Sequence, residues 1–534
     1  MNRNSESHFA QVPHADIQRS KFLRPSDHKT TFNVGDLIPL YEDEVLPGDT
    51  HQMDMSALVR MSTPIFPVMD NCFMDFYFFF VPNRLLWDHW KNFMGENTET
   101  AWEPETEYTV PQTTAPAGGW AKGTIADYMG IPTKTANLSV SSLPFRAYCL
   151  IWNEWFRDQN LLDPCMVSKD DANTAGANDG DYVANAEKGG LPLKAAKYHD
   201  YFTSALPSPQ KGPDVTIPIT GNAPVILTDL AGNTLPNANT FDDAHSVTRL
   251  YNQNINGKTN AAGGTSSSFG NATYFKADMS NIQAATINQL RQAFQIQKLY
   301  EKDARGGTRY REVLRSHFNV TSPDARQQVP EYLGGYRLPI NITQVVQQSE
   351  TTSTSPQGNT AAFSVTSMNR SMFTKSFTEH GWILGLGVVR TEHTYQQGLE
   401  RMWSRKSRFD FYWPVLANIG EQAILNKEIY AQGTSADDEA FGYQEAWADY
   451  RYKPSRVSGL FRSNATGTLD SWHYADYYTS QPKLGKDWIQ ETKDNLNRTI
   501  AVQDEDQFIG DFYFKSSTTR PMPVYSVPGL IDHH

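Results

Sequence analysis

The clearest apolar signal is the run Met74-Asp75-Phe76-Tyr77-Phe78-Phe79-Phe80-Val81, which ends at Pro82. Six consecutive apolar residues without a polar break predict a strand buried on both faces. Asn83 is placed to cap a short helix over Leu86, Trp90, Phe93 and Met94, and Gly95 ends it. From Ser142, with Pro144 in the first turn, Phe145, Tyr148, Cys149, Trp152, Trp155 and Phe156 recur at steps of three and one. That spacing puts all six on one helical face, packed against a core. Ser280 and Gln283 match a capping box. They open a longer helix whose stripe of Ile287, Leu290, Phe294, Ile296, Leu299 and Tyr300 is expected to be buried, and Gly306-Gly307 stops it. A second short helix is expected over Arg309 to Phe318.

The last third reads mostly as β. Trp382 to Val389 is apolar and interrupted by glycine, and Arg408-Phe409-Asp410-Phe411-Tyr412-Trp413 alternates in part. Phe508 to Phe514 puts Phe508, Phe512 and Phe514 on one face and Asp511 on the other. Polar stretches frame these elements. The first 60 residues show no clear period and read as an extended arm. From about Met166 to Met279, Asn, Gly, Ala, Thr, Ser and Asp dominate, with a small hairpin expected where Val215 to Ile219 and Val225 to Leu227 flank Gly221-Asn222. So much loop reads as an insertion projecting into solvent. The expected organisation is an arm (1–60), a first core part (61–220), an insertion (221–276) and a second core part (277–534). No repeat at a solenoid period is present.

Composition narrows the class. Among 534 residues, 39% are hydrophobic and 20% charged, which fits a folded globular chain. The 28 Phe, 25 Tyr and 12 Trp, with 35 Gly and 30 Pro, point to short strands joined by long loops. Three cysteines, Cys72, Cys149 and Cys165, suit free thiols in a reducing compartment. No apolar run reaches a membrane-spanning length, and the polar start is not expected to be a signal peptide. A net charge of −12 disfavours bulk binding of nucleic acid and leaves room for local basic patches.

The search for catalytic motifs is mostly negative. There is no phosphate-binding glycine loop, no dinucleotide fingerprint, no His-Glu-x-x-His and no Gly-x-Ser-x-Gly. The stretch from Asp171 resembles the start of a calcium loop, but Ala175 and Tyr182 stand where ligands belong. Glu379-His380 and Glu392-His393 flank one strand and read as polar strand ends. No catalytic residue, metal or cofactor is expected. Basic residues interleaved with aromatics are the stronger signal, because such patterns pair phosphates and stack bases. Lys298, Lys302, Arg305, Arg309, Arg311 and Arg315 lie near Tyr300 and Tyr310. Arg401, Arg405, Lys406 and Arg408 lie beside Trp403, and Arg19, Lys21 and Arg24 lie in the arm. The alternative reading of these clusters is a solvated helix face, or ion pairs with the surplus acid.

Several motifs together resemble the major capsid proteins of microviruses of the gokushovirus type (Microviridae, Gokushovirinae). They are Phe78-Phe79-Phe80-Val81-Pro82-Asn83-Arg84-Leu85-Leu86-Trp87, Ile151-Trp152-Asn153-Glu154-Trp155-Phe156-Arg157-Asp158-Gln159-Asn160, Tyr201 to Pro207, Ala304-Arg305-Gly306-Gly307-Thr308-Arg309-Tyr310 and Pro521-Met522-Pro523-Val524-Tyr525. The similarity runs from the arm to the C-terminus and is weakest in the Asn/Gly-rich segment. It implies a mainly β fold, an eight-stranded antiparallel jelly-roll sandwich with long helix-containing loops. It also implies self-assembly into a T=1 icosahedral shell around the circular single-stranded DNA genome of a bacteriophage, made in the bacterial host cytoplasm. A small basic DNA-binding virion protein is the implied partner that neutralises the genome, which answers the acidic charge. The insertion is implied to form protrusions at the threefold axes, with Asn222, Asn233, Asn254, Asn260, Ser267 and Phe269 as candidates for contact with a host cell-surface receptor. The competing class is a carbohydrate-binding or carbohydrate-cleaving β-sandwich, whose exposed Trp and Tyr would stack on sugars.

Overall fold

Period-two burial along Thr50–Met61 puts Met53, Met55, Ala57, Val59 and Met61 on one face and mostly polar residues, with Leu58, on the other, the mark of a half-buried strand. In the computed structural model, this strand is one of eight long strands in two sheets. The residues described are 18–97, 106–216, 225–228, 274–277, 286–346, 348, 351, 357–358 and 360–525. The strands are β1 (Ser20–Phe32), β2 (Ile38–Val45), β3 (Thr50–Met61), β4 (Cys72–Pro82), β5 (Glu331–Pro339), β6 (Thr366–Ser376), β7 (Gly381–Thr391) and β8 (Phe508–Arg520). The sheets run in the orders β1-β8-β3-β6 and β5-β4-β7-β2, and every pairing within them is antiparallel. First pairs with last, second with seventh, third with sixth and fourth with fifth. That is the order of a jelly roll, a long hairpin wound into a sandwich.

Phe32, Met53, Met55, Phe76, Phe78, Phe80, Phe512 and Phe514 fill the space between the sheets. A second core lies on the outer face of the β4 sheet. There Phe79, Val81, Leu384, Leu386 and Val388 meet Phe145, Tyr148 and Trp152 of the helical segment that starts with α1 (Leu143–Ile151). Strand β4 is therefore buried on both faces, as its apolar run requires. The helical stripe is buried as expected except at Trp155, which is 36% exposed. The outer face of the other sheet is left open, with Leu23, Ile509 and Tyr513 exposed.

Several expectations are corrected. Residues 20–60 are not an arm but hold β1, β2 and nearly all of β3. Their polar positions face solvent from a one-sided sheet, and the thirteen-residue ladder from Ser20↔Arg520 to Phe32↔Phe508 joins chain ends that no local pattern connects. Arg408–Asp410 is a single 3₁₀ turn with exposed aromatics beside it, not a strand. Much of the chain between β7 and β8 is likewise short turns.

Gln210–Asp303 forms its own compact unit, and the rest of the chain forms the other. In that smaller unit, Val225–Thr228 pairs with Tyr274–Ala277, while residues 217–224, which include most of the other expected hairpin strand and its Gly221-Asn222 turn, lie outside the described residues. The long helix is α2 (Ile287–Gly306), and Ser280 and Gln283, where its start was expected, lie outside the described residues. Thr286 and Gln289 make the capping box: the Gln289 N–H donates to Thr286 Oγ1 at 3.2 Å, and the Thr286 N–H to Gln289 Oε1 at 2.8 Å. Its apolar stripe is not buried, since Ile287, Phe294 and Leu299 are 69, 59 and 49% exposed. Helical spacing reports a face that avoids water, not which molecule covers it. The protrusion candidates Asn222, Asn233, Asn254, Asn260, Ser267 and Phe269 all lie outside the described residues.

Candidate nucleic-acid interface

The basic residues predicted from sequence fall into two clefts and one sheet edge. The first cleft, of about 620 Å³, is enclosed by the chain after β7 and by residues 449–462. Arg401 is pinned in its floor, donating to the Ala423 carbonyl at 2.9 Å and to Glu428 Oε1 at 3.3 Å. Tyr201 donates to the other Glu428 oxygen at 3.0 Å. Burial raises the Glu428 carboxyl above its ordinary range, against the pull of Arg401. Arg405 pairs with Asp449 and lies 4.3 Å from the Tyr450 ring centroid. The exposed Trp403 forms part of the wall. Lys406 and Arg408 are exposed beside the cleft, and Arg408 sits 4.7 Å from the Phe409 ring centroid.

Four further cations line this cleft and were not singled out in the sequence: Arg451, Lys453, Arg456 and Arg462. Lys453 and Arg456 both reach Glu400, Arg451 pairs with Glu445, and Arg462 donates to the Gln396 carbonyl at 3.0 Å. The signal was there in Tyr450-Arg451-Tyr452-Lys453, which alternates aromatic and basic residues. Six cations face Glu400, Glu428 and Asp449, so the cleft is net basic inside an acidic chain. Cations among aromatic walls suit a phosphodiester with bases free to stack.

The second cleft, of about 710 Å³, takes Arg305, Arg309, Arg311 and Arg315 from the end of α2 and from α3 (Tyr310–Phe318). Three of these arginines are first of all ties. Arg305 pairs with Glu421 and donates to Gln444 Oε1 at 2.6 Å. Arg309 holds the Asn153 and Arg157 carbonyls at 2.7 and 3.0 Å and pairs with Glu312. Arg311 stacks on Trp155 at 4.1 Å and donates to the Glu154 carbonyl at 2.5 Å. Arg315 is exposed, as is Lys298 on α2. At the β1 edge, Arg24 pairs with Asp43, Arg19 donates to the Gly48 carbonyl at 2.5 Å, and Lys21 is exposed. The structure thus brings Arg401 and Arg405 together, and Arg305 to Arg315 together. It leaves Arg19, Lys21 and Arg24 apart on the sheet.

Glu379-His380 and Glu392-His393 do not converge. Glu379 pairs with Arg84, whereas buried His393 spends both ring nitrogens on carboxylates, 2.7 Å to Asp476 and 3.0 Å to Glu491. Asp171 accepts from the Trp87 indole at 2.6 Å and contacts His89 Nδ1 at 2.9 Å. Among the described residues no cluster of His, Cys, Asp and Glu is arranged to hold a metal ion. A second buried carboxylate, Asp75 on β4, gathers Arg337 of β5 at 2.7 Å, Arg390 of β7 at 2.6 Å and Tyr198 at 2.7 Å. Both guanidiniums lie against the Tyr198 ring. The Asp75 and His393 clusters fasten long loops to the sheet that holds β4 and β7.

Comparison with known proteins fits this architecture. The family described as "Capsid protein (F protein)" matches residues 10–530. The chain is 48% identical to capsid protein VP1 of Bdellovibrio phage phiMH2K, with 98% of each chain covered. It is 42% identical to capsid protein VP1 of Chlamydia phage 1, again over 98% of each. To capsid protein VP1 of Spiroplasma virus 4 it is 44% identical over 96% of each. A jelly roll whose first strand starts at Ser20 and last ends at Arg520 and relatives matched nearly end to end agree: this chain belongs to the Capsid protein (F protein) family, among the gokushovirus-type microviruses that its motifs resemble.

Proposed function

We propose that copies of this chain assemble into a small T=1 icosahedral shell around a circular single-stranded DNA genome, as a structural protein that turns nothing over. The observation that carries this reading is the near end-to-end match to capsid protein VP1 of three viruses. The shell forms in the cytoplasm of a bacterial host, and the chain then resides in the virion. No described helix is long and apolar enough to cross a membrane. Genome contact falls to the cations of the two clefts and to Arg19, Lys21 and Arg24. A small basic virion protein supplies the rest of the neutralising charge that a chain at −12 cannot. The segment 221–276 forms the threefold protrusions and meets the host receptor.

The test is expression of the full chain, with and without the other proteins of its phage, followed by sedimentation and negative-stain electron microscopy. Uniform isometric shells holding nuclease-protected single-stranded DNA are expected. Soluble subunits that never form shells, even with every phage protein present, would overturn the reading. Deleting 221–276 is expected to leave shells and abolish infectivity. Loss of the shells would refute a peripheral insert.

A further inference from the structure

The segment from Phe409 to Ile419 carries an apolar surface that the fold itself does not use. Phe409, Phe411, Tyr412, Trp413, Val415 and Ile419 are 63, 52, 46, 49, 88 and 53% exposed. These side chains are not loose. Ser407 and Lys406 N–H groups donate to Asp410 Oδ2 at 2.7 and 2.8 Å. The Trp413 indole donates to the Arg408 carbonyl at 2.8 Å, and the Trp447 indole to the Leu416 carbonyl at 2.8 Å. Tyr412 packs edge-on against Trp447, with ring centroids 5.8 Å apart. The ridge is therefore pre-formed, and docking it costs little ordering entropy.

We infer that this ridge is an interface between copies of this chain, seated on a neighbouring subunit of the shell; the inference rests on the coat-protein reading above. Area is the first argument. A large apolar or aromatic side chain carries about 150–250 Å², so the exposed fractions give the six residues on the order of 600 Å². That reaches the upper end of the largest apolar patches on monomers, about 300–600 Å². It is most of the roughly 800 Å² that each partner brings to a standard interface. The second argument is kind. Aromatic residues with arginine are what the centres of protein interfaces favour, and exposed Lys406 and Arg408, neither in an ion pair among the described residues, flank the patch. A second copy, with a net charge of −12, supplies the acidic complement. Single-stranded DNA, the other occupant that would suit aromatics, becomes an outcome of the test.

Val415→Cys gives a probe at the most exposed point of the ridge, while the three native cysteines are buried. Particles of the variant are treated with a maleimide dye intact and again after dissociation. Labelling in intact shells is expected to be at least tenfold slower. A benzophenone maleimide loaded on subunits before assembly is expected to give a cross-linked species of twice the chain mass. Equal labelling in both states overturns the inference. So does protection that disappears when nuclease removes the DNA from intact shells, which would assign the ridge to the genome. Absence of shells from the unmodified chain would instead count against the coat reading itself. A parallel Val415→Asp variant is expected to fold with an unchanged melting temperature and to lower shell yield at least tenfold; full yield also overturns the inference.

Discussion

His393→Gln tests whether the long loops are fastened to the sandwich by buried charge. His393 lies two residues past the end of β7, and its side chain is 2% exposed, with its partners Asp476 and Glu491 at 6 and 3%. Burial alone would push the imidazole down; Asp476 and then Glu491 reverse this and raise it from 6.5 to about 10. Burial likewise pushes Asp476 up, and the His393 charge and the Asn495 amide hold it well below the usual carboxylate range. The cluster is thus an imidazolium between two carboxylates. At about 1.4 kcal/mol for each pH unit separating the folded and unfolded values, the His393 shift is worth at most roughly 5 kcal/mol. Breaking a buried pair on one side costs about 3–5 kcal/mol, which agrees. Unfolding entropy of about 2.1 cal/mol/K per residue gives about 1.1 kcal/mol/K for this chain, so the variant should melt about 3–5 °C lower at pH 7. The sign with pH is set by the raised imidazole. Its contribution is complete below pH 6.5 and is lost as pH climbs from 6.5 towards 10. The variant keeps two facing carboxylates, so it recovers on acidification from pH 7 to pH 5, as one of them takes a proton. Differential scanning fluorimetry of the unassembled chain across pH 5–10 reads both slopes. A variant within 1 °C of the parent at pH 7, or a parent equally stable at pH 7 and pH 10, would refute the charged-cluster account.

Phe79→Ala removes a ring that is 1% exposed and packed against Phe156 and Trp155 on the outer face of the β4 sheet. It should cost about 3–5 kcal/mol by chemical denaturation. Asp75→Asn leaves Arg390, 12% exposed, without its carboxylate, and should destabilise the chain by a similar 3–5 kcal/mol. A loss below 1 kcal/mol would mean that water already serves that arginine. Replacing Arg451, Lys453 and Arg456 together with Ala removes three side chains that are 60, 60 and 65% exposed. In fluorescence titrations of the subunit with oligodeoxythymidine, the slope of log affinity against log salt should fall by about 2, at about 0.7 per phosphate contact. An unchanged slope would refute the proposed role of this cleft in genome contact. The three cysteines are buried, and burial raises the Cys72 and Cys149 thiols, so the native chain should resist a thiol reagent at pH 8 and react fully in denaturant.

What the sequence disclosed follows from the range over which each element is determined. Strand β4 announces itself because both its faces are buried, Phe78 between the sheets and Phe79 beneath the loops, so no polar residue interrupts the run. Strand β8 and the stripe of α1 are equally local, one by alternation and one by helical spacing. Strand β1 had no such mark. Its outer positions carry Lys21, Pro25, Asp27 and Lys29, and its stability comes from a ladder with β8, nearly five hundred residues later. The candidate site divides in the same way. Clusters of Arg and Lys were visible, but their acidic partners were not, because Glu421, Glu428 and Asp449 reach Arg305, Arg401 and Arg405 across 116, 27 and 44 positions.

This division bears on the proposed contact between coat and genome. An arginine already paired with a carboxylate brings no net charge to a phosphate, so Arg305, Arg309, Arg401 and Arg405 shape the clefts more than they neutralise DNA. Their guanidiniums still have N–H groups to offer, because Arg carries five donors and each pairing uses only some of them. They can orient a strand without binding it tightly. Under the proposed function, tight, sequence-blind neutralisation would rest on exposed Lys21 and Arg315, on Arg451, Lys453 and Arg456, whose side chains stay 60–65% exposed in their pairs with Glu445 and Glu400, and on the proposed basic partner. A coat that worked in this way would have a fold that depends little on ionic strength, because its structural ion pairs are partly shielded from solvent, whereas its proposed hold on DNA would weaken with salt. Raising the salt on assembled particles should therefore release genome before it melts the subunit. Subunit unfolding ahead of DNA release would place the arginine ties on the surface, where screening reaches them, and would overturn this division of labour.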